Sequence, residues 1–99
     1  MKDIGGNEFS PAEMYKLINL LISAKIPFEV GDCFGTPQVR YPSTENCVCD
    51  AICHGGSYGH EEGLLEIMGL AADPDDDVEG WLTAEEVFKR ISEDHKRRE

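Results

Sequence analysis

The chain has 99 residues, and its twenty acidic side chains outnumber nine basic ones, so that the formal net charge is −11. A chain of this length forms one domain around one hydrophobic core. Each phosphate contact needs a lysine or an arginine, so the charge excludes autonomous nucleic-acid binding and docking on an anionic membrane. The apolar runs at residues 17–22 and 64–70 are much shorter than the ~20 residues that cross a bilayer.

The N-terminal stretch, MKDIGGNEFS, contains no apolar core of the kind that signal peptides carry. We therefore expect no signal peptide and a cytoplasmic protein. We also expect residues 1–99 to form a single domain, in which residues 1–8 and 96–99 are flexible.

The first predicted element is a helix over residues 10–24. Ser10 at the N-cap and Glu13 at N3 form a capping box. From Met14 onward, apolar side chains recur at i, i+3, i+4 and i+7, which places them on one helical face. A proline follows at position 27 and disfavours helical backbone just before it, so the helix should end there.

Residues 26–54 are predicted to form strands. Apolar side chains alternate over residues 26–30, residues 31–35 are typical of a turn, and residues 38–41 alternate again. The odd positions of the next stretch are small or apolar and should face the helix: Cys47, Cys49, Ala51 and Cys53.

Residues 61–70 fit a short buried helix and a strand equally well, because periodicity does not distinguish them at this length. Thr83 and Glu86 form a second capping box, which begins a helix predicted over residues 84–95. Together these elements predict an α+β fold. Its N-terminal helix packs on a small, mostly antiparallel sheet, and a second helix ends the chain.

The four cysteines raise the question of a metal site. Cys33, Cys47, Cys49 and Cys53 do not follow the paired spacings that zinc sites use, and His54 falls on the opposite side of its predicted strand. Without a secretory context, a disulfide framework has no support. We therefore interpret the cysteines as small core residues, with zinc binding as the alternative, and we predict no metal and no cofactor.

A glycine-rich loop, HGGSYGH at residues 54–60, is a candidate binding site. Glycine amides approach anions closely, and the loop adds polar side chains that can donate hydrogen bonds: His54, Ser57, Tyr58 and His60. Arg40, on a neighbouring predicted strand, is the only fixed positive charge between positions 25 and 89. The loop and Arg40 together suggest a pocket for a nucleotide-like ligand, although the sequence has no phosphate-loop motif.

The segment at residues 60–88 holds ten acidic side chains and neither lysine nor arginine. Its candidates for binding a basic partner are Glu61, Glu62, Asp75, Asp76, Asp77 and Glu79. Such a surface can mimic a nucleic-acid backbone and occupy a basic groove on a host protein. Charge complementarity of this kind makes association fast and sensitive to salt.

Residues 75–86 also resemble the twelve-residue calcium loop of an EF-hand, with acids at positions 1, 3 and 5, glycine at 6 and glutamate at 12. The resemblance implies a calcium ligand set of Asp75, Asp77, Glu79, the Trp81 carbonyl, Thr83 and Glu86. It requires helices at residues 61–72 and 87–95. The competing interpretation is an acidic loop before a capped helix, in which Glu86 is a cap and not a ligand.

The chain as a whole resembles small proteins encoded in prophages and mobile elements of Gram-positive gut bacteria, a group with no established activity. The segments that carry the resemblance are IPFEV at residues 26–30, residues 47–58 with their CHGGSY, GLLEIMG at residues 63–69, and residues 80–91. The resemblance implies a protein that acts by stoichiometric binding in the cytoplasm of a host cell.

We therefore expect a non-enzymatic binding protein that antagonises a bacterial host process such as an anti-phage defence. Its partner is expected to be a basic host protein, masked by nucleic-acid mimicry, or a nucleotide-like small ligand that it sequesters. A second copy could cover a sheet edge, which would give a homodimer. The alternative function is a calcium-binding module built on residues 75–86.

Overall fold

The computed structural model describes residues 12–33, 36–53, 63–71, 75 and 77–98. The elements, in chain order, are α1 (Ala12–Ser23), β1 (Glu29–Cys33), β2 (Thr36–Tyr41), β3 (Cys49–Ile52), β4 (Leu65–Met68), β5 (Val78–Leu82) and α2 (Ala84–Arg98). The strands form one antiparallel sheet in the order β1-β2-β3-β4-β5. The two helices pack against each other. Helix α1 also contacts β2, and helix α2 contacts β4. The predicted α+β fold is confirmed.

The hydrophobic core lies between the two helices and one face of the sheet. In β3, in β4 and from Gln38 to Tyr41 in β2, buried residues alternate with half-exposed or exposed ones, as the pleat requires. The buried members are in register across the sheet, where Val39 pairs with Ala51 and Ala51 pairs with Ile67. Among the described residues, neither helix is long and apolar enough to span a membrane.

Helix α1 buries the apolar face that the sequence predicts, and it ends within one residue of the predicted position. Lys25 adopts a left-handed backbone, and the amide of Ile26 donates to the Leu21 carbonyl, which closes the helix. The predicted cap residue Ser10 lies outside the described residues. Glu13 Oε1 accepts a 2.7 Å hydrogen bond from the Ala84 amide, so this carboxylate caps α2.

Three expectations about the strands are corrected. Strand β1 continues through residues 31–33, because these residues pair with residues 36–38 and leave only two for the turn. Strand β3 begins at Cys49, so Cys47 lies before it and is exposed, whereas Cys49, Ala51 and Cys53 are buried as predicted. Strand β5 was not predicted at all.

The two ambiguous regions of the sequence resolve as follows. Residues 65–68 form a strand and not a helix, since they pair with β3 on one side and β5 on the other. Helix α2 begins where the capping box predicts and includes residues 96–98, three residues beyond the predicted end. The flexibility expected for residues 96–99 stays a prediction.

A buried polar network joins the sheet to α2. The Tyr41 hydroxyl donates a 2.8 Å hydrogen bond to Oδ2 of Asp94, and Arg98 Nε donates to the same oxygen at 2.6 Å. Asp94 is only 6% exposed. Burial opposes its ionisation, but the hydrogen bonds from Arg98 and Tyr41 outweigh burial and hold the pKa of Asp94 below its usual value. Burial and the same carboxylate raise the pKa of Tyr41 to about 12.

Replacing Tyr41 by Phe removes the hydroxyl donor and should lower the free energy of unfolding by about 2 kcal/mol at neutral pH. The Asp94 contribution is present above the ordinary carboxyl pKa of 3.8 and is lost as the pH falls through the lowered folded-state value. The difference between wild type and Tyr41→Phe should therefore shrink in acid. Urea denaturation at neutral and acidic pH measures it, and Tyr15→Phe on the exposed side of α1 is the matched control.

Gly69 lies at a position that no other residue can fill. Its φ is +92°, and an added Cβ would overlap the carbonyl oxygen of Val48. Gly69→Ala should cost about 3 kcal/mol of folding stability, because both the backbone angle and a rigid neighbour oppose it. At Gly31, the three atoms nearest to an added Cβ belong to the Arg40 guanidinium, with Cζ at 2.5 Å, and this end of the side chain can shift at the cost of its hydrogen bonds to Gln38 and Thr44. Urea denaturation should show a clearly smaller loss for Gly31→Ala, and equal losses would contradict this account.

Candidate functional site

The sheet has a second face, which points away from the helices. We call it the open face. Alternation along the strands and register between them assign to it Glu29, Gln38, Arg40, Asp50, Ile52, Glu66, Met68 and Val78, all of which are half-exposed or exposed. Register places one row of them side by side across all five strands, from Glu29 through Arg40, Asp50 and Met68 to Val78. The open face therefore mixes carboxylates with apolar side chains.

Arg40, the predicted cation of a ligand pocket, is engaged within the sheet. Its Nε and Nη2 donate to Gln38 Oε1 at 3.1 and 2.8 Å, and its Nη1 donates to Thr44 Oγ1 at 3.3 Å. The Thr44 amide donates to Glu29 Oε1 at 2.6 Å, and this bond is the main cause of a lowered Glu29 pKa. Three of the five guanidinium N–H groups are thus used locally. Arg40 thus joins β2 to the following loop, and Thr44 of that loop bonds Glu29 of β1.

A cleft of about 430 Å³ opens on this face, at the end where β3 begins and β4 ends. Its lining comprises Cys47, Val48, Asp50, Met68, Gly69 and Asp77. Gln38 Nε2 donates to Asp50 Oδ2 at 2.9 Å and so orients that carboxylate. The Gly69 amide donates to the Asp77 carbonyl at 2.7 Å, which fixes the backbone beside the second carboxylate. The cleft therefore presents two acidic groups above an apolar lining.

The thiols of Cys47, at the cleft, and Cys49, below it, have raised pKa values and are therefore poor nucleophiles. Burial against the cleft wall, and next the charge of Asp50, raise the pKa of the Cys47 thiol. Burial raises the pKa of Cys49 to about 12. A nucleophilic cysteine needs a lowered pKa, and these two thiols show the opposite. No group of three histidine, cysteine or acidic side chains that could hold a metal ion occurs within the described part of the chain.

The acidic residues predicted to bind a basic partner lie in two different environments. Asp75 and Asp77 are exposed, and Asp77 lines the cleft. Glu79 lies towards the helices, where Arg90 Nη1 and Nη2 donate to its two oxygens at 2.7 and 3.0 Å. Arg90 Nη1 also donates to the Leu70 carbonyl at 2.9 Å. Glu79 therefore joins β5 to α2, and its predicted role in binding a partner stays a prediction.

The helix–loop–helix geometry implied by the EF-hand resemblance is wrong. A strand occupies residues 65–68, where a calcium loop needs a helix, and residues 78–82 are also a strand. Glu86 Oε1 accepts a 2.8 Å hydrogen bond from the Thr83 amide, and the Glu86 amide donates to Thr83 Oγ1 at 3.2 Å. This reciprocal pair is the predicted capping box, so Glu86 caps α2.

Several predicted binding residues lie outside the described residues, namely His54, Ser57, Tyr58, His60, Glu61, Glu62 and Asp76. Of the others, Arg40 and Asp77 both belong to the open side of the sheet, but only Asp77 lines the cleft. Sequence reasoning missed Met68 and Asp50 as site residues. The alternation of buried and outward-facing positions along each strand could have identified both residues, since each follows a buried neighbour in its strand.

The raised Cys47 pKa gives a chemical test of the cleft. Asp50→Asn removes a negative charge that disfavours the thiolate, so alkylation of Cys47 by iodoacetamide near neutral pH should accelerate roughly twofold. Mass mapping of the alkylated peptide in a Cys33→Ser background isolates the reaction at Cys47. Glu93→Gln on the exposed side of α2 removes the same charge elsewhere, and an equal acceleration there would contradict a local effect.

The chain was compared with protein-family models, with curated proteins and with solved structures, and none of them matches it. Its function is therefore inferred from the open face and from the cleft.

Proposed function

We propose that the protein is a non-enzymatic binding protein, and that its open face masks a basic surface on a partner protein by stoichiometric contact. The observation that carries the proposal is the cleft, which combines the carboxylates of Asp50 and Asp77 with an apolar lining. The whole chain carries a net charge of −11, so a positive partner is attracted from a distance as well as in contact.

The lining of the cleft matches the two parts of a long basic side chain. A lysine or arginine has an apolar stem and a charged head. Val48 and Met68 can contact the stem, while the two carboxylates accept hydrogen bonds from the head. A volume of about 430 Å³ holds one such side chain together with the backbone that bears it.

Three basic residues of the helical layer form ion pairs with acidic residues of the same layer and so do not face the open face. Arg90 binds Glu79, Arg98 binds Asp94, and Lys16 lies 3.3 Å from Glu85. These pairs are on α1, α2 and the helix-facing side of β5. The acidic residues outside these pairs, including those of the open face, therefore account for the negative charge that attracts a basic partner.

Capture of a nucleotide-like ligand is less well supported. Such a ligand needs a cation for its phosphate groups, and Arg40 already donates three hydrogen bonds within the protein. Among the residues that the structure describes in the cleft, the ionisable groups are the carboxylates of Asp50 and Asp77 and the Cys47 thiol. A basic protein surface is thus the better match to the described side chains.

The resemblance to prophage and mobile-element proteins suggests the biological setting of this contact. In this proposal the partner is a nucleic-acid-binding protein of a bacterial host, and the acidic protein occupies its basic groove in the host cytoplasm. Blocking an anti-phage defence protein is the specific role that we propose.

A charge-neutral cleft tests the proposal. The double variant Asp50→Asn, Asp77→Asn should weaken binding to the partner by about tenfold or more at physiological salt, because it removes both carboxylates that face the bound cation. The partner is isolated by capture from host lysate on the wild-type protein, identified by mass spectrometry and purified. Its affinity for each variant is then measured by calorimetry.

The matched control is Glu85→Gln, Glu93→Gln, which removes two charges from exposed positions of α2. Its effect should be less than about threefold, since it changes only long-range attraction. Equal weakening by the two double variants would show that net charge alone is recognised. Turnover of a substrate by the purified protein would falsify the non-enzymatic assignment.

A further inference from the structure

The one tryptophan of the chain stands in an unusual position. Trp81 lies in β5, is 58% exposed and has a left-handed backbone with a φ of +57°. Its ring exposes one of the largest apolar surfaces that a side chain can offer. Exposure and backbone strain therefore coincide at the same residue.

The strain follows from a bulge in β5. Leu65 pairs with Leu82, but the next pair joins Ile67 to Glu79, so β5 has one residue more than β4 between the two pairs. Gly80 and Trp81 together lie opposite the single residue Glu66. Glu66 belongs to the open face, so the bulge brings the indole to the same side of the sheet as Met68.

The bulge does not need a tryptophan. A glycine or an asparagine adopts left-handed backbone at little cost, whereas a bulky residue is disfavoured there. Among the described residues, Tyr15 is an aromatic side chain of similar exposure. It lies in a regular turn of α1, where the backbone has no unfavourable left-handed conformation. Strain that the fold does not require is typical of residues kept for binding.

We propose that Trp81 is the anchor of the open face, and that it receives an arginine side chain of the basic partner. This inference rests on the proposed function. The planar guanidinium stacks on the indole ring, and the negative charges of the open face strengthen its attraction. The exposed thioether of Met68, two residues along β4 from Glu66, extends the apolar surface on which the same segment lies.

Arginine is the expected occupant for a physical reason. A lysine ammonium is a strongly hydrated point charge, whereas a guanidinium is planar, weakly hydrated and able to stack while its edge still bonds carboxylates. At a distance the carboxylates attract both cations equally, because each carries one positive charge, so this long-range attraction does not distinguish arginine from lysine. The indole adds a preference for arginine, and this preference is the property that separates the anchor from the acidic cleft.

The test uses two synthetic peptides of equal length and charge, an oligoarginine and an oligolysine, each with a fluorescent label. Binding to the wild-type protein is measured by fluorescence anisotropy at about 50 mM salt, where surface charges are weakly screened. The arginine peptide should bind several-fold more tightly than the lysine peptide. It should also quench or shift the intrinsic fluorescence of Trp81, which no other tryptophan obscures.

Two variants of Trp81 distinguish the effect of the indole ring on binding from the effect of the left-handed backbone. Trp81→Asn keeps a residue suited to left-handed backbone and should lose about tenfold in affinity for the arginine peptide, with loss of the preference over lysine. Trp81→Phe keeps an aromatic face and should retain part of the preference.

The outcomes distinguish this inference from the proposed function. If both peptides bind equally well and Trp81→Asn changes neither affinity, the anchor is overturned while the acidic surface stands. If neither peptide binds the wild-type protein, both proposals are overturned. Asp50→Asn with Asp77→Asn should weaken both peptides alike and leave the preference for arginine intact, and loss of the preference there would assign it to the cleft.

Discussion

Both helices of this protein pack on a single face of its sheet, and the rest of the structure follows from that constraint. Because side chains alternate along a strand, each central strand commits one set of residues to the core and presents the other set outward. Val39, Ala51 and Ile67 form the inner row. The outer row carries the cleft, so burial of one set determines where a partner can bind.

Charge is arranged in the same two layers. On the helical side, basic residues meet acidic ones in defined pairs, such as Arg90 with Glu79 and Arg98 with Asp94. On the outer side, Arg40 is held by Gln38 and Thr44, and the cleft keeps two carboxylates. The ion pairs therefore contribute to the stability of the fold, whereas the proposed binding of a partner depends on carboxylates that no basic side chain of the cleft neutralises.

The sequence predicted those features that depend on local chemistry. The apolar face of α1, the capping box of Thr83 with Glu86 and the buried odd positions of β3 all follow from spacing along the chain. Strand β5 escaped prediction because its acidic, glycine-containing letters are typical of a loop, and only pairing with β4 makes them a strand. The ion pair of Glu79 with Arg90 was likewise not predictable, since its partner lies on another element.

The bond between Glu13 and the Ala84 amide spans 71 positions of the chain and sets the two helices side by side at their first turns. One carboxylate thereby serves the positive end of the last helix, which does not exist until that helix has been synthesised. Because α1 precedes α2 along the chain, the carboxylate of Glu13 has no helix to cap until α2 has been synthesised. The inner row of the sheet is therefore covered along both β2 and β4 only after the second helix has joined the first.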